Sequence, residues 1–406
     1  MISGVNMAQA WFFNIPTHGH INPTLPLVQA LVDQGDEITY FAGPRFAGAI
    51  EASGAVYGDY GDAYTFDQTR IDAHAVLQGS QLAEAATALM PALNHRLAQQ
   101  KPDYLLFDMS APWGAIIAQR YNIPAVASFP HLPFNWRIFL RDTRVLKKGM
   151  HSLRPGQGYY RALQRETARL AREQKLRKPS EINVLSSSAS LNIVFSSRYF
   201  QPFEERFDDS YHYIGPVINT TRSDELFEIV RRPDQPLLYI AVGTLYLANK
   251  RFFEQCIEAF GDGRFAVIMS VGKGVEPADL GPLPANMSAA QYVPQLQILE
   301  EADLFITHGG MNSINEAIMA LVPMVAVPNT IEQAVNSFRV EQLSGGLYLP
   351  SEQLDAAALR RSADALLADP SIPDGLAKIR NSFLNAGGID HAVAAINAFK
   401  YQHRIA

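Results

Sequence analysis

The run His308-Gly309-Gly310-Met311-Asn312-Ser313-Ile314-Asn315-Glu316 combines residue types that hold anions with a spacing that would assemble them. The apolar stretch before it, Ala302 to Thr307, has the length and composition of a buried strand. Gly309 and Gly310 then permit a tight turn, and a helix is expected from Asn312 to Leu321. A helix N-terminus offers backbone N–H groups without intrahelical partners and the positive end of the dipole, so it attracts phosphate. His308, Asn312 and Ser313 add side-chain donors, and Glu316, about one turn further on, is placed to hold vicinal hydroxyls. Gly-Gly after a strand is common in α/β proteins of every kind. The added His, Asn, Ser and Glu are what describe a nucleotide seat. Gly243-Thr244, closing the apolar Tyr239 to Val242, supplies a second turn able to reach a β-phosphate.

A different chemistry is offered near the N-terminus, where Asn14-Ile15-Pro16-Thr17-His18-Gly19-His20-Ile21-Asn22-Pro23 follows an apolar strand. Histidine is the usual general base near neutral pH, and it needs a partner on its other ring nitrogen. Asp108 closes the strand Tyr104 to Phe107 at the same carboxyl edge and can be that partner. A lone loop histidine is more often structural or exposed; the aspartate at a matching level raises the catalytic reading to parity. The turn lacks the G-x-G-x-x-G of a dinucleotide site, which disfavours a nicotinamide dehydrogenase. There is no G-x-S-x-G nucleophile elbow, and no D-x-D, H-E-x-x-H or C-x-x-C. A catalytic metal is therefore not expected, and charge on a leaving pyrophosphate falls to the helix N-terminus and His308.

The elements that must position these residues follow one pattern twice. In the first half, Ala10 to Ile15, Glu37 to Phe41, Tyr104 to Phe107 and Ala125 to Ser128 predict strands, with helices over Pro23 to Gln34 and Ala111 to Tyr121. In the second, Leu237 to Val242, Phe265 to Val271, Leu304 to Thr307 and Met324 to Val327 predict strands. Short apolar strands alternating with helices imply a parallel sheet covered on both faces. The break falls near Tyr213 to Pro216, before the polar stretch Asn219 to Gln235. The expected fold class is α/β, two doubly wound Rossmann-like domains facing across a cleft, with ligands at the carboxyl ends of the strands. The expected boundaries are 1–215, 216–389, and a last helix, 390–406, able to pack back on the first domain.

Two further segments carry information. Arg137 to Lys178 holds 13 Lys and Arg against three acidic residues, which describes either a solvated helical face or weak association with an anionic surface. Phe129-Pro130-His131-Leu132-Pro133-Phe134-Asn135-Trp136 is rich in rings after a strand end and either lines an apolar pocket or packs under a loop. Tyr64, Phe66 and Met90 share that ambiguity.

A chain of 406 residues can bury more than one core. Its 48% apolar and 18% charged content is that of a globular protein, and a net charge of −6 argues against a nucleic-acid partner. The single cysteine, Cys256, excludes an internal disulfide and fits a buried thiol among Phe252, Phe253, Ile257 and Phe260. No apolar run is long enough to predict a membrane span, and Met1 to Gln9 lack a signal-like pattern. A cytoplasmic monomer or dimer is expected.

Taken together, Gly19-His20-Ile21-Asn22-Pro23, Tyr292-Val293-Pro294-Gln295 and His308 to Gln333 resemble the UDP-glycosyltransferase superfamily, in the bacterial branch similar to macrolide glycosyltransferases. The resemblance implies the GT-B fold, with acceptor bound by the N-terminal half and donor by the C-terminal half. It implies that His20 is the catalytic base, with His18 beside it, and that Asp108 steadies it. Tyr292, Val293 and Gln295 would then hold the uracil, His308, Gly310, Asn312 and Ser313 the phosphates, Glu316 the ribose, and Glu332-Gln333 the sugar, with Asn336 nearby. Gly243 and Thr244 complete the donor set. Tyr292 stands where the family has tryptophan, Met311 where plant members have tryptophan, and Asn329 where near bacterial relatives often have glutamine. The implied reaction is a metal-independent, inverting transfer of a hexose, glucose by preference, from a UDP-sugar co-substrate without a further cofactor. The acceptor is a lipophilic small molecule such as a macrolide, flavonoid or other phenol, with His18, Phe66, Met90, Phe129, Phe134 and Trp136 as candidate lining. The alternatives are a UDP-sugar epimerase and a non-catalytic sugar-nucleotide-binding protein.

Overall fold

The structure, a computed structural model, describes residues 7–64, 75–152, 158–176, 184–218, 227–243 and 250–405. The chain divides into two compact units, one of Met1–Asn135, His151–Asn219 and Phe383–Ala406, the other of Trp136–Met150 and Thr220–Ser382.

The first unit is built on β1 (Gln9–Phe13), β2 (Glu37–Ala42), β3 (Val56–Asp59), β4 (Tyr104–Asp108), β5 (Ala125–Phe129), β6 (Leu191–Val194) and β7 (Tyr211–Tyr213). They form one parallel sheet in the order β3-β2-β1-β4-β5-β6-β7. Side chains alternate between the faces of a strand, and here both faces are covered. Trp11, Phe13, Leu105 and Phe107 enter a core with Leu82, Leu89 and Met90 of the helix Ala75–Gln99 and with Trp113. Ala10, Phe12, Tyr104 and Leu106 enter the opposite core. There they meet Leu27, Val28 and Leu31 of the helix Leu25–Asp33 and Ala392, Ile396 and Phe399 of the last helix, Gly388–Gln402. That last helix is also held by Lys400, whose ammonium lies 2.8 and 2.9 Å from the two carboxylate oxygens of buried Asp36. Tyr104 donates to the same carboxylate at 2.6 Å.

The second unit repeats the plan with β8 (Leu237–Ala241), β9 (Ala266–Ser270), β10 (Met287–Ala290), β11 (Leu304–Thr307), β12 (Met324–Ala326) and β13 (Gly346–Tyr348). Its sheet is parallel in the order β10-β9-β8-β11-β12-β13. In each sheet the strand order reverses at one place, between β1 and β4 and between β8 and β11. Loops leaving the carboxyl ends on either side of such a point diverge and open a crevice. The register sets Phe13 opposite Phe107 and Ala241 opposite Thr307. Asn14 and Asp108 therefore leave the first switch point at one level, and Val242 and His308 leave the second.

The strands expected from apolar runs are all present, and five further ones join them. The expected helix from Pro23 is preceded by a single turn, His18–Ile21, and begins at Leu25. The expected helix from Asn312 to Leu321 spans Met311–Met319 and ends before Leu321, whose φ of 59° is left-handed.

Much of the basic segment is used internally. On the helix Thr143–Ser152, Arg144 pairs with Asp142 and Glu341, donates to the Tyr348 carbonyl and lies 4.4 Å from the centre of the Tyr348 ring. Lys148 reaches Ser351 at 3.1 Å, and on the helix Tyr159–Glu173 Arg169 pairs with Glu173 at 2.9 Å. Cys256 is fully buried, which pushes its thiol pKa up and makes it inert. Among the described residues no helix is long and apolar enough to cross a membrane.

Candidate active site

The turn after β1 is fixed by a buried polar network. Asn14, fully buried, donates through Nδ2 to the His20 carbonyl at 3.2 Å and to the Tyr40 hydroxyl at 2.7 Å. The Tyr40 and Thr24 hydroxyls are 2.7 Å apart, and Thr24 donates to the Ile21 carbonyl at 2.8 Å. Tyr60 donates to the Asn14 carbonyl at 3.0 Å and accepts from the Trp113 indole at 3.1 Å. Buried polar groups are costly unless bonded, so a connected set of this kind holds the turn in one conformation.

This turn brings His20, rather than His18, to Asp108. The His20 Nδ1 lies 2.9 Å from Asp108 Oδ2, and the other Asp108 oxygen accepts the Ser110 backbone N–H at 2.8 Å. Asp108 is fully buried, whereas the His20 side chain keeps 13% of its surface exposed. A buried carboxylate on Nδ1 fixes the tautomer with the lone pair on Nε2, the arrangement of a poised base. His18 is exposed and lies edge-on to Phe46, with centroids 4.8 Å apart.

In the second unit β11 runs into His308, Gly309 and Gly310, and the helix Met311–Met319 starts at once with Gly310 as its cap. Both glycines are required, for different reasons. Gly309 has a φ of +81°, and a Cβ there would lie 2.5 Å from Ser337 Oγ. A Cβ on Gly310 would lie 2.4 Å from His308 Nε2. Gly243 packs against the same ring, where a Cβ would meet Cε1 at 2.7 Å. Burial lowers the His308 pKa to about 4, a hydrogen bond with the Ala241 backbone opposing it. Its Nδ1 is buried with no hydrogen-bond partner among the described residues. The ring stands beside a helix N-terminus, and a proton taken up at the unused nitrogen would give it a second N–H to offer an incoming anion.

Around this turn Gln295 donates to Glu316 at 2.5 Å and to Ser313 at 3.3 Å, and accepts from Tyr239 at 3.4 Å. Tyr292 is 63% exposed, so its ring is free to stack, while Val293 is buried and Pro294 caps the helix Gln295–Glu301. Asn312 is partly exposed. On the helix Ile331–Gln342, Asn336 ties Glu332 (2.5 Å) to the Gly309 carbonyl (3.2 Å). Gln333 closes a capping box with Thr330, its side-chain oxygen accepting the Asn329 and Thr330 N–H groups at 2.9 and 3.1 Å. Its amide nitrogen lies outside those two bonds.

The candidate acceptor residues are scattered. Met90 and Phe129 belong to the apolar core of the first unit. Phe134 and Trp136 are exposed, at 38% and 56%. Phe66 and Thr244 lie outside the described residues. Two groups escaped the sequence reading as site residues: Asn14, a single polar residue after an apolar strand, and His131, whose Nε2 is 3.0 Å from His20 Nε2. The capping box did have a signal, the T-x-x-Q of Thr330 to Gln333.

Known proteins resemble this chain in sequence and fold. Residues 256–393 match the family described as the erythromycin biosynthesis protein CIII-like C-terminal domain. The NDP-glycosyltransferase YjiC of Bacillus subtilis (strain 168) is 33% identical over 388 residues, covering 95% of this chain and 96% of that protein. The oleandomycin glycosyltransferase of Streptomyces antibioticus is 28% identical, covering 98% of this chain and 92% of that one. Among solved structures, the calicheamicin glycosyltransferase CalG4 has a TM-score of 0.78 at 28% identity, covering 98% of this chain and 99% of that one. The glycosyltransferase of kitacinnamycin shares the fold, with a TM-score of 0.83 at 24% identity over 97% of this chain and 99% of that one. The two sheets and these likenesses define a glycosyltransferase that uses a nucleoside-diphosphate sugar. The chain belongs to the UDP-glycosyltransferase superfamily, in the branch of the bacterial macrolide glycosyltransferases, and has its GT-B fold.

Proposed function

We propose that the enzyme is an inverting, metal-independent hexosyltransferase that moves glucose from UDP-glucose to a hydroxyl of a lipophilic small molecule, giving a β-glycoside. The observation that carries this reading is the His20–Asp108 pair, 2.9 Å apart at the switch point of the first sheet. His20 Nε2 takes the acceptor proton as the acceptor oxygen bonds to the anomeric carbon and the bond to the pyrophosphate oxygen breaks. Asp108 stabilises the imidazolium that forms. One displacement inverts the anomeric carbon, so an α-linked donor yields a β-product. Charge gathering on UDP is met by the N-terminus of the helix Met311–Met319 and by His308. These groups, and not a metal, are assigned that work.

Tyr292 and Gln295 are assigned to the base, His308, Gly310, Asn312, Ser313 and the Gly243 turn to the phosphates, Glu316 to the ribose, and Glu332 with Gln333 to the hexose. Relatives named for oleandomycin and calicheamicin support a natural-product acceptor. The test is incubation with UDP-glucose or TDP-glucose and a panel of macrolides, flavonoids and simple phenols. UDP release and product mass are followed together, and proton coupling at the new anomeric centre reads the stereochemistry. Nucleotide release without a glycosylated product, or an α-glycoside, contradicts the proposal.

A further inference from the structure

A second imidazole joins the catalytic pair. His131, in the loop after β5, places Nε2 3.0 Å from His20 Nε2, with the rings edge to face at 85°. The loop itself is anchored. Phe129 is buried in the core and its carbonyl accepts the Phe195 N–H at 3.0 Å. Leu132 is buried, and the Pro133 carbonyl accepts from buried Gln201 at 3.1 Å. With the backbone held on both sides, side-chain torsions are what can move the His131 ring.

Counting protons fixes the direction of the contact. Asp108 takes the His20 Nδ1–H, and a neutral imidazole has only one N–H, so His20 Nε2 presents a lone pair. Two lone pairs do not bond. With His20 neutral the facing atom is His131 Nε2–H, which makes His131 the donor. Burial and, second, the proximity of His20 hold the His131 pKa well below its usual range, so the ring stays neutral and has this one proton to give. In the resting site the lone pair that must deprotonate an acceptor is therefore already engaged.

We propose that His131 is a positioning residue that caps the base, occupying the His20 lone pair until an acceptor hydroxyl displaces it and so keeping His20 from activating water against the bound sugar nucleotide. The proposal rests on the glycosyl-transfer reading above. The reaction it suppresses balances as the transfer does. A water oxygen bonds to the anomeric carbon, the bond to UDP breaks, and the water proton passes to His20, giving free glucose and UDP. An acceptor brings the binding of its apolar body to displace the ring. A water exchanges one hydrogen bond for another and leaves the His131 N–H to be satisfied elsewhere.

The experiment compares wild-type enzyme with His131→Phe, which keeps a ring without the donor, and His131→Gln, which restores an N–H. UDP release from UDP-glucose alone is measured beside product formation with an acceptor that the wild type uses. In His131→Phe the ratio of hydrolysis to transfer should rise about fivefold or more, the scale of one neutral hydrogen bond, and the acceptor KM should fall. His131→Gln should return the ratio toward wild type. An unchanged ratio in His131→Phe overturns the cap. Should that variant not fold, two-bond proton–nitrogen NMR of the histidine rings in the wild type decides: an Nε2–H tautomer at His131 supports the cap, and an Nδ1–H tautomer overturns it. Absence of transfer by the wild type with every acceptor would instead strike the function itself, so the two failures are separable.

Discussion

His308 makes the pH response of this protein calculable. Its ring titrates at about 4 in the folded chain against an ordinary 6.5. The unfolded chain therefore binds a proton below pH 6.5 that the folded chain refuses until about pH 4. Stability is fully present above the unfolded value and is lost as pH falls through this window. The gap of about 2.5 units corresponds to about 3 kcal/mol in full, of which about 2 kcal/mol is lost between pH 7 and pH 5. Replacing His308 by Gln keeps a polar side chain but removes the titration. Urea unfolding of both proteins at pH 7, 6 and 5 should show the variant losing about 2 kcal/mol less than the wild type across that range. His131 shifts in the same direction but is common to both proteins, so it cancels in the difference. The same argument makes UDP-glucose binding take up a proton, because the diphosphate favours the charged ring, and affinity should strengthen as pH falls from 7 to 5. Parallel acid losses in the two proteins, or weaker UDP-glucose binding at pH 5, would refute the reasoning.

Three other outcomes follow from the same geometry. Asp108→Asn should lower kcat by about 10²-fold or more while UDP affinity, measured by calorimetry, stays within about twofold, because the carboxylate bonds His20 and the Ser110 N–H and is assigned no contact with the nucleotide. Tyr292→Ala should cost about 1–3 kcal/mol of UDP binding, about five- to 150-fold in Kd, the scale of one base stacked on an aromatic ring. Lys400→Met leaves the buried Asp36 carboxylate with Tyr104 alone, and urea unfolding should show a loss of about 3 kcal/mol.

What the sequence discloses here has a physical pattern. β1, β4, β8 and β11 are buried on both faces, so they stand out as continuous apolar runs. The strands that do not stand out are mostly at the edges or are too short, such as Tyr211-His212-Tyr213 and Gly346-Leu347-Tyr348. β6 lies inside the sheet but is interrupted by Asn192, which is buried only because it bonds to Ser210 and the Ala189 carbonyl. The site follows the same rule. His20 and Asp108 can be paired from the sequence because one lies in the turn after a legible strand and the other closes a legible strand of the same sheet. His131 lies 111 residues from His20 among aromatic neighbours, and those rings suggest a pocket wall rather than a partner for the base. Asn14 has no periodic signal either, since its meaning comes from Tyr40 and Tyr60 on other elements.

The central claim is that His20 is the base of a sugar transfer whose donor is held independently at the His308 turn. Its most direct test is a single comparison of wild type with His20→Ala, reading UDP affinity by calorimetry and glycoside formation by product mass. The account predicts an unchanged Kd for UDP and no glycoside from the variant. Transfer by His20→Ala at the wild-type rate would contradict it.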